Sequence, residues 1–276
     1  MRSDEPTAHR GRPEGEPSGV VSGSEGAMSG MTFWEHLEAL RWVILRSLGV
    51  AVVFAVVAFC MKDLLFSVVL APRTSEFITF RLMGAEPFSV HLMNTGLTEQ
   101  FMTHMRVAMY AGLLCAAPYI IYELFRFISP GLYANERRAG FWIVTSGYVM
   151  FMIGTALNYL LIFPLTVRFL GTYQVSADVA NMLTLQSYID TLISMSLVMG
   201  IIFELPVVCA ILGKMGVINS SMMSRYRRHA VVAILIVAAI ITPTTDIFTL
   251  CVVSLPIWLL YESSILLISL PLSFHR

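Results

Sequence analysis

The stretch FISPGLYANERR, residues 127–138, separates two apolar runs that are each long enough to cross a membrane. Pro130-Gly131 breaks the helix between them, and Glu136-Arg137-Arg138 places fixed charge beside the second run. Adjacent arginines at the end of a span mark the cytoplasmic side of a bilayer. The sequence therefore predicts a short cytoplasmic turn between two membrane-spanning helices.

The composition is that of a membrane protein. The chain has 276 residues, of which 57% are hydrophobic and 13% charged, and its mean hydropathy is +0.74. A soluble domain would carry about 25% charged residues. We therefore predict an all-α, polytopic membrane protein. Because the net charge is zero, nothing in the composition indicates a nucleic-acid partner, and we expect none.

Six spans are predicted, and the last two are short. Their approximate bounds are Trp42–Met61, Arg106–Ile128, Phe141–Phe163, Tyr188–Leu212, Ala230–Ile241 and Ile247–Leu260. Pro164 is expected to end the third span, and the polar run after Leu260 the sixth. A helix over Ala230–Ile241 would be only about 18 Å long, so we expect the bilayer to thin there. The mixed segment 62–105 predicts short interfacial helices that cap the outer side.

The termini and the charges set the domain limits and the orientation. Residues 1–30 are rich in Gly, Ser, Pro and Glu and are expected to be a disordered extension, followed by one six-helix domain over 31–272. Six spans place both ends on one side. With both ends inside, thirteen of the eighteen Lys and Arg residues are cytoplasmic, which predicts an N-in, C-in protein.

Glu204 is a carboxylate inside the fourth predicted span. An ionised side chain at mid-membrane costs on the order of 2.5–3.5 kcal/mol, so Glu204 should either be protonated and bonded to another helix or face a polar cavity. Pro206 removes a helix hydrogen bond nearby and should loosen the wall there.

Other charged residues at helix ends have two interpretations each. Glu136 could favour a helix N-terminus or pair with Arg137, or it could hold an arginine side chain bidentately. Glu38 could be a surface partner of Arg41 or Trp42, and Asp246 a turn and cap residue. No nucleophile–base pair, metal motif or nucleotide loop occurs, so we expect no enzyme activity, cofactor or bound metal.

Motifs in a fixed order over nearly everything after residue 31 resemble the TatC family of the twin-arginine protein translocase. They are HLEALR at 36–41, Ala71-Pro72, the FISPGLYANERR turn, Phe163-Pro164, FELP at 203–206, and Thr242-Pro243 with Asp246. The resemblance implies a glove-like, concave arrangement of six helices in the bacterial inner membrane. It also implies a receptor that binds twin-arginine signal peptides of folded proteins and nucleates their export, driven by the proton gradient.

The same resemblance implies roles for particular residues. Glu136 matches the signal-binding carboxylate, flanked by Phe127 and Arg138, and Pro72 matches a functional proline. Glu204 matches a membrane-embedded contact for partner subunits or the inserted signal, with Asp246 as a further polar position. The implied partners are TatA/TatB-like single-span subunits, twin-arginine signals and membrane lipids, and a homo-oligomer is left open.

One departure concerns the second glutamate that the family carries two residues before Arg41, where this chain has Ala39. Glu38 lies one residue earlier, about 100° around a helix. Either Glu38 substitutes in a shifted geometry together with Arg41, or Glu136 works with less help.

The main alternative is an ion- or proton-coupled transporter of small solutes that uses Glu204 as the carrier. We disfavour it because the sequence shows neither an inverted repeat nor other charged residues deep in the spans, which transporters usually supply.

Overall fold

The structure, a computed structural model, describes residues 33–82, 84, 90–128, 137–172, 183–242 and 246–269. For residues 33, 35, 36, 128 and 137–140 it describes the backbone alone. The chain divides into a unit of residues 1–38 and a unit of residues 39–276. The packing described below is that of the second unit.

The described residues are mostly helical, with one two-residue strand pair. Leu92–Met93 (β1) runs parallel to Leu183–Thr184 (β2). A 3₁₀ turn covers Ala71–Arg73, and a π-helical segment covers Asn158–Ile162. The α-helices are Phe33–Cys60 (α1), Lys62–Val69 (α2), Ile78–Leu82 (α3), Glu99–Ile128 (α4), Arg137–Leu157 (α5), Phe163–Thr172 (α6), Leu185–Phe203 (α7), Leu205–Lys214 (α8), Ser220–Arg225 (α9), Arg227–Ile241 (α10) and Ile247–Ser269 (α11).

Five stretches in the described ranges are long and apolar enough to cross a membrane. They are Leu37–Cys60, Glu99–Phe127, Phe141–Thr172, Leu185–Lys214 and Ile247–Ser269. The predicted short span is present as helix α10, but its 15 residues reach only about 22 Å against a hydrocarbon core of about 30 Å. The described residues therefore contain five stretches of membrane-spanning length, as a membrane protein requires, and the sixth span stays a prediction.

Helix α11 corrects the expected end of the last span. It continues nine residues beyond Leu260, through the polar run Tyr261-Glu262-Ser263-Ser264, to Ser269. The run does not end the helix because its polar groups have partners inside the protein. The hydroxyls of both serines donate to the Leu260 carbonyl, that of Tyr261 donates to the Met223 carbonyl, and Glu262 pairs with Arg227.

The third span likewise does not end at Pro164. Pro164 lies in the first turn of α6, where a missing N–H is tolerated, and the π segment before it keeps the chain helical. Proline cannot donate to the carbonyl four residues back, which is that of Leu160. The hydroxyl of Thr79 on α3 donates to that carbonyl instead. The span therefore continues to Thr172.

The second span starts earlier than predicted, at Glu99 instead of Arg106, because Glu99 holds the start of the helix. Its Oε2 accepts hydrogen bonds from the backbone N–H of Thr95 at 2.8 Å and of Gly96 at 2.9 Å. Its Oε1 accepts from the N–H of Gln186 in the first turn of α7 at 3.0 Å. Glu99 thus joins the beginnings of α4 and α7 at one end of the bundle.

The short helices predicted for segment 62–105 form a cap, defined here as Lys62–Leu82. Hydroxyl groups of the bundle hold its backbone: Tyr159 donates to the Val68 carbonyl at 2.6 Å, and Tyr188 donates to the Val69 carbonyl at 3.0 Å. These carbonyls belong to the last turn of α2, where a helix leaves acceptors without internal partners. These two hydrogen bonds therefore tie the end of α2 to the bundle.

Helices α5 and α7 pack at backbone distance because glycines line their contact. A Cβ built on Gly154 would lie 2.7 Å from the Met199 carbonyl oxygen, and one on Gly200 would lie 2.7 Å from the Phe151 ring. On α4, a Cβ at Gly112 would lie 2.5 Å from the backbone nitrogen of Ala55 in α1. Small residues thus let two pairs of spans, α5 with α7 and α1 with α4, approach closely, as is common between membrane helices.

Candidate functional site

Glu204 lies at a one-residue interruption of the fourth span. Helix α7 ends at Phe203 and α8 begins at Leu205, with Pro206 in its first turn. Because Pro206 has no N–H for the Ile202 carbonyl, the α-helical ladder is interrupted there. The predicted weakening of the wall beside Glu204 is therefore present as a helix break.

The Glu204 carboxylate fits into a space left by a glycine of α5. A Cβ on Gly147 would lie 3.1 Å from Oε2 of Glu204, 3.2 Å from Ile121 and 3.3 Å from the Phe125 ring. Oε1 of Glu204 is buried and has no hydrogen-bond partner among the described residues. The carboxylate is therefore half-buried among α4, α5 and the α7–α8 break, in an apolar setting and with hydrogen-bonding capacity left over.

This arrangement brings Glu204 towards the end of α4 that leads into the FISPGLYANERR turn. Phe125 is two residues from Phe127, which is half-buried in the last turn of α4. Glu136 itself lies outside the described residues. Arg138 lies in the first turn of α5, where only the backbone is described. We call this end of the bundle the loop end.

The remaining predicted site residues are distributed over the molecule. Glu38 and Arg41 are exposed positions of α1. Pro72 is buried within the 3₁₀ turn of the cap. Asp246 is half-buried before α11, and its Oδ2 accepts a hydrogen bond from the Thr249 N–H at 2.7 Å, as a helix cap does.

Glu123 is a residue that the sequence analysis missed. It lies on α4 one turn before Phe127 and is only 4% exposed. Its Oε1 accepts a hydrogen bond from the Tyr119 hydroxyl at 3.1 Å and lies 3.9 Å from Nη1 of Arg46 on α1. The sequence signal for Glu123 was weak, because this carboxylate lies three residues from Arg126 and close to the end of its span.

Glu123 also weakens one argument against a transporter, because it is a second buried carboxylate within a membrane-length helix. A second ion pair joins α4 to α7, since the Arg106 guanidinium on α4 donates to both carboxylate oxygens of Asp190 on α7 at 2.5 and 2.6 Å. Over the described ranges, no three His, Cys, Asp or Glu side chains lie close enough together to hold a metal ion.

Comparison with known proteins identifies the family. A model of the family described as "Sec-independent protein translocase protein (TatC)" matches residues 35–256. The chain belongs to the TatC family. The matched region includes the FISPGLYANERR turn, Glu123 and Glu204, so the resemblance inferred from motifs is confirmed.

Individual TatC proteins are similar over most of their length. The TatC of Deinococcus radiodurans is 34% identical over 235 residues, which are 85% of this chain and 84% of that protein. The TatC of Koribacter versatilis is 33% identical over 242 residues, covering 88% and 86% of the two chains.

Two solved TatC structures share the fold. A crystal structure of the twin-arginine translocase receptor TatC superposes with a TM-score of 0.70 and 29% identity, over 84% of this chain and 97% of that one. A crystal structure of the twin-arginine translocase receptor TatC in DDM gives a TM-score of 0.72 and 28% identity, over 85% of this chain and 100% of that one. This chain is thus a component of a Sec-independent protein translocase.

Proposed function

We propose that this protein is the receptor and core subunit of a twin-arginine translocase in a bacterial inner membrane. The match to TatC over residues 35–256 carries the proposal, because that region contains every motif on which the signal-binding role depends. Glu136 holds the arginines of the signal peptide at the cytoplasmic surface, next to Phe127 and Arg138. Either Glu38, with Arg41, acts as a second contact, or Glu136 acts with less help.

The proposed orientation places both termini and the loop end in the cytoplasm and the cap, with Pro72, outside. In the six-helix, glove-like arrangement α10 is the fifth span. The small length of α10 supports local thinning of the bilayer, because an apolar segment shorter than the hydrocarbon core draws the two surfaces together.

The apolar part of the signal inserts beside Glu204, and this step recruits TatA/TatB-like single-span subunits for export driven by the proton gradient. The spare hydrogen-bonding capacity of Glu204 supports this role, because a polar group of an incoming helix would find an acceptor inside the membrane. The helix break at Pro206 supports it further, since the fourth span is not a continuous α-helix beside Glu204.

The test is charge neutralisation at the proposed arginine site. Glu136→Gln is expected to abolish crosslinking of a twin-arginine signal peptide to the protein in inverted membrane vesicles, while the amount inserted in the membrane is unchanged. Glu76→Gln is the matched control, because Glu76 is an exposed carboxylate of the cap. Unchanged crosslinking to Glu136→Gln would refute the assignment.

A further inference from the structure

Among the ion pairs that join helices in the described part of the chain are Arg46–Glu123, Arg106–Asp190 and Arg227–Glu262, and the first of these is the longest. Arg106–Asp190 closes to 2.5 Å and Arg227–Glu262 to 2.9 Å, whereas Arg46–Glu123 stays at 3.9 Å. The longest pair contains the most buried carboxylate, since the Glu123 side chain is 5% exposed and those of Asp190 and Glu262 are 44% and 27% exposed.

This combination is unusual in physical terms. A buried carboxylate is costly unless it is closely paired and well hydrogen-bonded. A carboxylate offers about four acceptor sites, and at Glu123 the Tyr119 hydroxyl engages one oxygen at 3.1 Å. Arg46 remains outside hydrogen-bond distance, with 54% of its side chain exposed. Glu123 therefore retains capacity for a closer guanidinium.

The location of Glu123 matches the path proposed for the signal peptide. Tyr119, Glu123 and Phe127 follow one another at intervals of four residues, so they lie along one face of α4. Glu123 is about 6 Å along the helix axis from Phe127. An arginine side chain that enters at the loop end can span this distance, because its long apolar stem is compatible with a membrane interface.

We propose that Glu123 is a second arginine-binding carboxylate of the signal-peptide site, and that Arg46 occupies it when no signal is bound. The inference rests on the function proposed above and adds a residue to it. The signal arginine forms the bidentate pair that Arg46 does not form, because a guanidinium matches both oxygens of a carboxylate. As one arginine replaces another, the buried charge is never left unpaired.

Glu123 also gives a reason for selectivity between arginine and lysine. A compact ammonium group cannot form two parallel hydrogen bonds to one carboxylate as a guanidinium does. Helix α1 has Ala39 at the position where the family carries its second glutamate. In this site Glu123 of α4 supplies the second carboxylate. The residue therefore affects the preference for a twin-arginine over a twin-lysine signal, which a merely structural glutamate would not.

The experiment measures binding of a fluorescent twin-arginine peptide and of its twin-lysine version to the purified full-length protein in detergent micelles. Glu123→Gln should weaken binding of the arginine peptide about tenfold, in line with the loss of a charge-assisted hydrogen bond. Binding of the lysine peptide should change much less, so the ratio of the two affinities falls. Arg46→Gln should strengthen binding of the arginine peptide, because the competing guanidinium is gone.

Glu262→Gln is the matched control, since it also neutralises a glutamate paired with an arginine, and it should leave both affinities unchanged. An unaltered ratio in Glu123→Gln, or weaker binding in Arg46→Gln, overturns the inference. If Glu123→Gln does not fold, the result for Arg46→Gln decides alone. Glu136→Gln separates the two proposals. If this variant still binds the arginine peptide, the receptor site as a whole is refuted. If it loses binding while Glu123→Gln binds like the unchanged protein, only the role of Glu123 is refuted.

Discussion

At the scale of single residues, glycines decide how near one span comes to the next. Three positions differ in what an added methyl group would meet: Gly112 faces the backbone of α1, Gly147 faces the flexible end of the Glu204 side chain, and Gly49 has nothing within 4 Å. Backbone atoms cannot move aside as a side chain can. The three glycines should therefore respond differently to the same substitution.

Replacing each of these glycines by alanine should give a graded series of stabilities. Gly112→Ala should lower the free energy of unfolding by about 1–3 kcal/mol, because α1 and α4 must separate. Gly147→Ala should change it little, and Gly49→Ala should raise it by up to about 1 kcal/mol through helix propensity. Thermal unfolding in detergent measures the order, and equal stability of Gly112→Ala and Gly49→Ala would contradict the packing described.

Sequence reasoning found Glu204 and missed Glu123 for a physical reason. Glu204 is in the middle of an apolar run, so the free-energy cost of placing its charge inside the membrane is evident from the sequence alone. Glu123 is three residues from Arg126 and close to the end of its span, where charged residues are usually solvated. Its burial depends on how α1 and α4 pack together, and the sequence does not reveal that packing.

At the scale of helices, the unexpected lengths have a common cause. Pro164 and the polar run after Leu260 have the composition of helix ends, yet α6 and α11 continue. In both cases groups inside the protein satisfy the polar atoms that would otherwise need water: Thr79 of α3 serves α6, and carbonyls of α9 and of α11 itself, with Arg227, serve the run in α11. The apolar patterning is sufficient to predict where five of the spans lie, whereas the ends of these helices depend on hydrogen bonds to the rest of the protein.

Thr79→Val should destabilise the π-helical segment, because the Leu160 carbonyl loses its hydroxyl donor and Pro164 cannot replace it. We expect a loss of about 1–3 kcal/mol and faster hydrogen exchange in α6. Pro164→Ala should restore part of this loss in the double variant, since alanine supplies the missing N–H. A double variant no more stable than Thr79→Val would show that the Leu160 carbonyl is not the group affected.

At the scale of the whole molecule, the proposed six spans predict which loops share a side of the membrane. In a chain whose four native cysteines are replaced, Leu97→Cys and Ile247→Cys should react with a membrane-impermeant maleimide from outside the cell. Val217→Cys should react only after the membrane is opened. All three positions are highly exposed, with 102%, 78% and 59% relative accessibility respectively.

Labelling at Ile247 tests whether α10 crosses the membrane, a question that the length of α10 leaves undecided. If α10 crosses the membrane, Ile247→Cys is labelled together with Leu97→Cys. If α10 stays on the inner side, Ile247→Cys is labelled together with Val217→Cys, and the six-span arrangement is wrong.

The contact between Gly112 and α1 also has a consequence for electrostatics. Helix α1 meets α4 at three heights: Phe59 stacks on His104, Ala55 rests on Gly112, and Arg46 faces Glu123. Arg46 is nine residues from Ala55, about 14 Å along a stiff helix. Any axial displacement of α1 against Gly112 is therefore transmitted to the Arg46 guanidinium. The register of α1 and α4 in mid-membrane thus determines how strongly Arg46 is held by Glu123 near the membrane surface.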